Sequence, residues 1–186
     1  YGGKVHAIRT RDGSAVWRKG TSGGACGLGS GNFYSTPAVA FGRVYIGNTD
    51  GRVYSFSTTN GALAWRHGTG GYVYASPAVA QVPGTPPTVY IGSYDGYFYA
   101  LDARSGSVLW RHRSGGKISG ASTVVGDIVY YSNLSSRTTI GLGVRTGLPV
   151  FSFGRGAFNP VVSDGRRIYL TGYSTIYALV PRRGRG

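Results

Sequence analysis

Short apolar runs recur along the chain, and each is bounded by glycine or by a turn-forming pair. Val44-Tyr45-Ile46-Gly47 and Val89-Tyr90-Ile91-Gly92 are two examples, followed by Asp50-Gly51 and Asp95-Gly96. β-Branched and aromatic residues favour strands, and Asp-Gly pairs favour tight hairpin turns. The pattern therefore predicts antiparallel β structure. No apolar run approaches the ~20 residues that a membrane-spanning helix needs.

The strand pattern repeats along the chain. In each copy, a short apolar strand leads through a turn to an aromatic residue, and a glycine lies four positions before that residue. The aromatic residues are Trp17, Trp65, Trp110 and Phe151, and the glycines are Gly13, Gly61, Gly106 and Gly147. The copies are spaced by roughly 40–50 residues, a period typical of the blades of a propeller. A fifth copy begins at Ile176-Tyr177-Ala178-Leu179.

A second set of matches precedes each copy. Ser35-Thr36-Pro37-Ala38-Val39 matches Ala75-Ser76-Pro77-Ala78-Val79 and predicts an entry strand. Each unit is thus expected to form four short strands, of which the last ends on the aromatic residue. One such sheet cannot enclose a core, so neighbouring sheets must bury each other's faces. The sequence predicts an all-β propeller in which tryptophan packs between adjacent blades.

The repeats set the domain boundaries, with propeller repeats over residues 1–180. A partial blade covers 1–20, complete blades cover about 33–68, 73–113 and 118–154, an incomplete blade covers 157–180, and a basic tail covers 181–186. This amounts to about four blade-equivalents, whereas propellers close with about four to eight blades. We expect an N-terminal portion outside this chain to complete the ring, since the chain starts within a blade. The alternative is a homodimer that forms one ring.

One segment carries a family resemblance. Residues 100–110, ALDARSGSVLW, resemble the tryptophan-docking repeat of the pyrroloquinoline-quinone (PQQ) propeller superfamily, Ala-x-Asp-x-x-x-Gly-x-x-x-Trp. The superfamily includes quinoprotein alcohol dehydrogenases, the outer-membrane assembly lipoprotein of the β-barrel machinery and cofactor-free secreted or anchored proteins. The motif aspartate is present only as Asp102. The equivalent positions hold Arg9, Ser57, Gly143 and Val180, and Phe151 replaces tryptophan in the fourth copy. These changes preserve packing, so the resemblance implies the fold.

The resemblance to quinoproteins implies a quinone held with calcium, an aspartate base and often a disulfide of adjacent cysteines. The sequence has six aspartates, no glutamate and the single cysteine Cys26. Calcium needs several hard oxygen ligands, yet the aspartates occupy the motif or positions beside turn glycines: Asp12, Asp50, Asp95, Asp102, Asp127 and Asp164. We therefore predict no cofactor, no metal and no catalytic residue. The alternative is a fragment of a quinoprotein dehydrogenase whose acidic site lies upstream.

The net charge is +14, from 20 Lys and Arg residues against six acidic residues. Cationic side chains follow the tryptophans at the ends of the outer strands: Arg18, Lys19, Arg66, His67, Arg111 and Arg113. A ring of such charge at the rim would attract an acidic protein, glycan or lipid surface. Charged outer strands also prevent edge-to-edge aggregation without any ligand. His67 and His112 are expected to be solvated. No motif of a specific nucleic-acid-binding module is present.

The sequence therefore favours a non-enzymatic binding or scaffold module with a protein, an anionic surface or a glycan as its partner. By the resemblance it is expected to be exported to the cell envelope or outside the cell, with an anchor outside this chain. A lectin-like, carbohydrate-binding propeller is a further alternative. The loops Gln81–Pro87 and Gly23–Gly31 are predicted contact points on the faces of the ring. Cys26 lies in the second loop, as a free thiol or paired with a cysteine elsewhere.

Overall fold

A computed structural model describes residues 3–21, 31–156, 161–172 and 174–180. Within these residues the chain is all-β and forms five antiparallel sheets. The predicted fold class, an all-β propeller of four-stranded blades that makes up part of a ring, is confirmed.

The strands follow the predicted order. The first sheet pairs β1 (Lys4–Ile8) with β2 (Ala15–Gly20). The next contains β3 (Ala38–Ala40), β4 (Arg43–Asn48), β5 (Arg52–Ser57) and β6 (Leu63–Gly68). The third contains β7 (Ala78–Ala80), β8 (Thr88–Gly92), β9 (Tyr97–Asp102) and β10 (Val108–Arg113). The fourth contains β11 (Thr123–Val125), β12 (Ile128–Asn133), β13 (Thr138–Gly143) and β14 (Pro149–Phe153). The last contains β15 (Val162–Ser163), β16 (Ile168–Thr171) and β17 (Ile176–Leu179).

The sheets are arranged radially. In the three complete blades the strands pair in chain order, and the short first strands β3, β7 and β11 contact one another from blade to blade. Each apolar cluster lies between two neighbouring sheets. One cluster joins Tyr45 and Val53 of one blade to Ile91 and Leu101 of the next. The blades therefore bury each other's faces, as sheets of this size must.

A β-bulge precedes each aromatic residue of the repeat. Ser55 pairs with Trp65 and Phe56 pairs with Leu63, so that Ala64 is the extra residue. The register shifts in the same way in the other three pairs of third and fourth strands. A bulge bends a strand and redirects the side chain beside it. It therefore helps to direct the aromatic ring toward the next blade.

The tryptophans are held by the turn of the following blade. The indole N–H groups of Trp17, Trp65 and Trp110 donate to the backbone carbonyls of Thr58, Ala103 and Val144 at 2.9, 3.0 and 2.9 Å. Each accepting carbonyl lies three positions before the glycine of that turn. A Cβ placed on Gly61, Gly106 or Gly147 would lie 2.7, 2.7 or 2.6 Å from the indole ring. Each tryptophan thus rests on a glycine that leaves room for it.

The turns keep their shape where the motif aspartate is missing. Asp102 accepts the backbone N–H groups of Arg104 and Ser105, both at 2.8 Å. At the equivalent Ser57 the side-chain oxygen accepts one N–H, from Thr59 at 3.2 Å. The backbone bond from the turn glycine is retained at Ser57 and Gly143 as it is at Asp102. Backbone pairing therefore maintains the turn, and the aspartate adds to it.

Candidate interaction surface

The strand ends form two faces of the ring. In an antiparallel meander, successive turns lie at opposite ends of the strands. One end therefore carries the turns between second and third strands together with the links from blade to blade. We call this end the connection face; among the described residues it includes 21, 31–37, 49–51, 69–77, 93–96, 114–122, 134–137, 154–156, 161, 172 and 174–175. The opposite end, which we call the turn face, carries the other hairpins.

Four tyrosines pack against one another on the connection face. They are Tyr34, Tyr72, Tyr74 and Tyr94, which we call the tyrosine cluster. Ring centroids are 5.6 Å apart for Tyr34 and Tyr74, 5.8 Å for Tyr72 and Tyr74, and 4.8 Å for Tyr74 and Tyr94. Tyr34 precedes β3 and Tyr74 precedes β7 by the same number of residues. The cluster therefore lies where the inner strands of neighbouring blades meet.

The backbone holds the cluster in place. Tyr94 donates its backbone N–H to the carbonyl of Tyr72 at 2.9 Å, and Val73 donates to Asn48 of the preceding blade at 3.1 Å. A Cβ on Gly71 would lie 2.7 Å from the backbone nitrogen of Asp95, so the link packs closely on the hairpin turn. The side chains of Tyr72 and Tyr74 thus extend from a link that is fixed to two blades.

Other tyrosines use their hydroxyl groups inside the fold. Tyr45 donates to the carbonyl of Ala103 at 3.1 Å, Tyr99 donates to Asp95 at 2.6 Å, and Tyr54 donates to Asp50. Burial, followed by the hydrogen bond to the Asp50 carboxylate, raises the pKa of Tyr54 to about 12. These side chains stabilise blades.

The cluster differs in its hydroxyl groups. Within the described residues, the hydroxyls of Tyr72, Tyr74 and Tyr94 have no hydrogen-bond partner. Tyr34 and Tyr72 are 46% and 48% exposed. Burial raises the pKa of Tyr74, and its three tyrosine neighbours raise it further. The cluster therefore offers three hydroxyl groups, those of Tyr72, Tyr74 and Tyr94, that have no partner among the described residues.

A cationic cleft adjoins the cluster. The ammonium of Lys117 lies 5.3 Å from the centre of the Tyr94 ring. Lys117, Tyr94 and Arg113 line a cleft of about 250 Å³. Asp95 also lines it, but its carboxylate already accepts hydrogen bonds from Gly70, Tyr97 and Tyr99. The ion pairs Arg11–Asp12 and Arg52–Asp50 do not involve Arg113 or Lys117, which have no carboxylate partner among the described residues.

The structure separates the six predicted rim cations into three environments. Arg18, Arg66 and Arg111 are exposed on outer strands, and Arg111 lies 4.9 Å over the ring of Tyr97. Lys19 and His67 lie on the strand face that carries tryptophan. Arg113 ends β10 and belongs to the cleft on the connection face. Strand alternation places Lys19 and His67 on the opposite side of the outer strand from Arg18, Arg66 and Arg111, and Arg113 lies two residues further along β10 than Arg111.

The histidines differ from the expectation that they are solvated. The His67 ring lies 5.8 Å from the Tyr99 ring of the next blade, and burial lowers the pKa of His67. Burial also lowers the pKa of His112. Both are half-buried, because their face of the outer strand packs on the following blade.

The docking residues at the ends of the repeat lie in different settings. Gly13 forms the same turn, with a φ of 70°, but a Cβ there would meet nothing within 4 Å. Phe151 packs on Tyr130 with ring centroids 5.6 Å apart and has no N–H to donate. Gly184, the glycine of the next copy that corresponds to the one beneath each tryptophan, lies outside the described residues.

The structure describes one of the two predicted contact loops in full. Gln81–Pro87 links β7 to β8 on the turn face, and Arg145 of the next blade donates to the carbonyl of Pro83 at 2.6 Å. Most of Gly23–Gly31, including Cys26, lies outside the described residues. Sequence reasoning missed the tyrosine cluster, although the equivalent positions of Tyr34 and Tyr74 in two copies carried a signal for it.

The described residues do not fit a quinone held with calcium. Among them, no three His, Cys, Asp or Glu side chains lie together as a metal site requires. Five carboxylates accept backbone N–H groups of their own turns: Asp12, Asp50, Asp95, Asp102 and Asp164. These turns lie in four blades, and Asp95 and Asp102, which share a blade, lie at opposite ends of β9, so the oxygen atoms do not converge as calcium ligands do.

Four-stranded blades, joined at three junctions by an indole that rests on the glycine turn of the next blade, define a β-propeller of tryptophan-docking repeats. The chain belongs to the PQQ-like repeat family whose model is described as outer membrane protein assembly factor BamB, which matches residues 1–185. No match was found among curated protein sequences. The described residues form no helix of the length and apolarity that crossing a membrane requires.

Solved structures share the fold. BamB from Moraxella catarrhalis has a TM-score of 0.73 at 21% identity, over 96% of this chain and 55% of that one. The computationally designed Ika8 protein has a TM-score of 0.74 at 16% identity, over 96% of this chain and 53% of that one. A quinohemoprotein alcohol dehydrogenase from Pseudomonas putida HK5 has a TM-score of 0.64 at 19% identity, over 73% of this chain and 28% of that one. The chain thus spans about half the length of the first two structures.

Proposed function

We propose that this chain is a non-enzymatic scaffold that binds other proteins in the cell envelope, and that the tyrosine cluster is its principal contact surface. One observation carries the proposal. Four packed tyrosines occupy the connection face, and the hydroxyls of three of them are unused within the described residues. The description of the family model as an assembly factor supports the same kind of role.

The physical argument concerns the cost of binding. Tyrosine supplies a large contact area with few rotatable bonds, and it is enriched at protein interfaces. Here the rings already pack on one another, and Tyr72 and Tyr74 extend from a link that backbone hydrogen bonds fix to two blades. Little conformational entropy remains to be lost when a partner binds, which favours affinity.

The proposal is tested by site-specific photo-cross-linking in the native host. A photoreactive phenylalanine analogue replaces Tyr72, and the matched control places it at Leu63, which is 51% exposed on the outer strand β6. We expect discrete protein adducts from position 72, absent from position 63 and lost when Tyr74→Ala is added. The same adducts from both positions, or none from position 72, would contradict the proposal.

A further inference from the structure

We propose that the partner segment bound at the tyrosine cluster is extended and acidic, with its carboxylates in the cleft formed by Arg113, Lys117 and Tyr94. This inference rests on the proposed function, because it names the chemistry of the partner at the same surface. It differs from an electrostatic rim, since Arg113 and Lys117 lie at the connection face, where β10 ends, and not along the length of the outer strands.

Charge complementarity is the first argument. The chain carries 20 Lys and Arg residues against six acidic residues. Asp95, the acidic residue that lines the cleft, accepts the backbone N–H of Tyr97 in its own turn and the Tyr99 hydroxyl at 2.6 Å. Arg113 and Lys117 make no ion pair with the described residues. A carboxylate from outside would therefore meet two cations with little competition from within the fold.

The shape of the surface is the second argument. Tyr34, Tyr74, Tyr94 and Lys117 form a continuous row, with successive separations of 5.6, 4.8 and 5.3 Å. An extended chain advances ~3.3 Å per residue, so about five residues span this row. The aromatic part of the row suits proline or aliphatic side chains, and the cationic end suits carboxylates. The row thus matches a segment whose acidic residues follow apolar ones.

The orientation of the rings argues against single-stranded nucleic acid. Bases bind by stacking in parallel on open aromatic faces, along a groove with cations that follow the backbone. Here the rings are tilted against one another by 45–82°, so neighbouring rings cover much of each other's faces. The cations lie at one end of the row. This arrangement of rings and cations suits a protein segment better than a polynucleotide.

The experiment measures binding of a fluorescein-labelled peptide of four prolines followed by four aspartates to the full chain by fluorescence polarisation. The control peptide has four asparagines in place of the aspartates. We expect the acidic peptide to bind at least ~10-fold more tightly than the control peptide. A tenfold change in Kd corresponds to about 1.4 kcal/mol, which one or two charge-assisted hydrogen bonds supply. Binding should weaken when salt is raised from low to high concentration.

Matched variants separate the cleft from net charge. Arg113→Ala with Lys117→Ala removes two charges from the cleft, and Arg18→Ala with Arg66→Ala removes two from the rim. All four side chains are exposed, so both variants should fold. We expect about a tenfold loss of peptide affinity for the first pair and less than about a twofold change for the second. Equal losses in both would overturn the inference in favour of nonspecific attraction.

Competition and cross-linking distinguish the remaining outcomes. If oligothymidylate or heparin binds more tightly than the acidic peptide, and loses affinity in the cleft variant, the partner is not an acidic protein segment and the inference fails. If position 72 yields protein adducts but the acidic peptide does not bind, the inference fails while the proposed function stands. If position 72 yields no adducts, the proposed function itself fails, whatever the peptide does.

Discussion

Replacing Gly106 with alanine tests whether the docking turns require glycine for their backbone conformation or for contact with tryptophan. Gly106 has a φ of 76°, in the left-handed region that a side chain disfavours. A Cβ there would also lie 2.7 Å from the indole of Trp65. The two penalties are separable, because Gly13 has a φ of 70° in the same kind of turn but open space around it. Gly13→Ala is thus the matched control for backbone conformation alone.

The magnitudes follow from the two environments. Alanine at positive φ costs about 1 kcal/mol, which is the whole expected effect at Gly13. At Gly106, displacing the Trp65 ring adds about 1–3 kcal/mol of overpacking. Loss of the hydrogen bond from the Trp65 indole to Ala103, 3.0 Å long, adds about 1 kcal/mol more. We therefore expect Gly106→Ala to be more destabilising than Gly13→Ala by about 2–4 kcal/mol.

Urea denaturation followed by tryptophan fluorescence measures the difference. The midpoint should fall much further for Gly106→Ala, with an unchanged slope, since the unfolded chain exposes the same surface. The emission of folded Gly106→Ala should also report a more solvated indole. Equal midpoints for the two variants would show that the backbone conformation accounts for the glycine, and that contact with Trp65 does not.

Three further outcomes are expected. The pKa of Asp164 is lowered from 3.8 to about 2, because its carboxylate accepts hydrogen bonds from the backbone N–H groups of Arg167 and Arg166 and from the Tyr169 hydroxyl. The ionised Asp164 carboxylate therefore stabilises the folded state fully above pH 3.8, and this contribution is lost as the pH falls through 2. Asp164→Asn should flatten the acid limb of a stability–pH curve, and an unaltered limb would refute this. Adding PQQ with calcium should change neither absorbance nor melting temperature; a raised melting temperature would favour the quinoprotein alternative. Sedimentation should give a particle of 19.6 kDa, whereas twice that mass would favour a ring of two copies.

The repeat allowed the fold to be predicted because its signals are local. Gly106 and Trp110 lie within one turn and strand, and the same spacing recurs in each copy. The sequence predicted that each tryptophan packs against the next blade, but it did not predict which atoms the indole contacts there. The accepting carbonyl, such as that of Ala103 for Trp65, required coordinates. Local pattern thus determined the strands, and packing between blades determined the contacts.

The candidate surface was harder to predict because its members are distant in sequence. Tyr34 and Tyr94 belong to different copies and meet only through Tyr74. Arg113 was grouped with Arg111 because both follow Trp110, yet the end of the strand places Arg113 on the connection face. Composition showed an excess of tyrosine but could not distinguish those that donate to Asp50 or Asp95 from those that remain available.

The tryptophan dock has a direction, and this affects how such proteins can change in length. The indoles of Trp17, Trp65 and Trp110 each rest on the glycine turn of the following blade, so these three junctions are of the same head-to-tail type. Duplication of one whole unit adds a donor and an acceptor together and leaves no junction unmatched. Gain or loss of whole blades therefore requires no new interface. Ring size can vary among relatives while the chemistry of each junction is preserved.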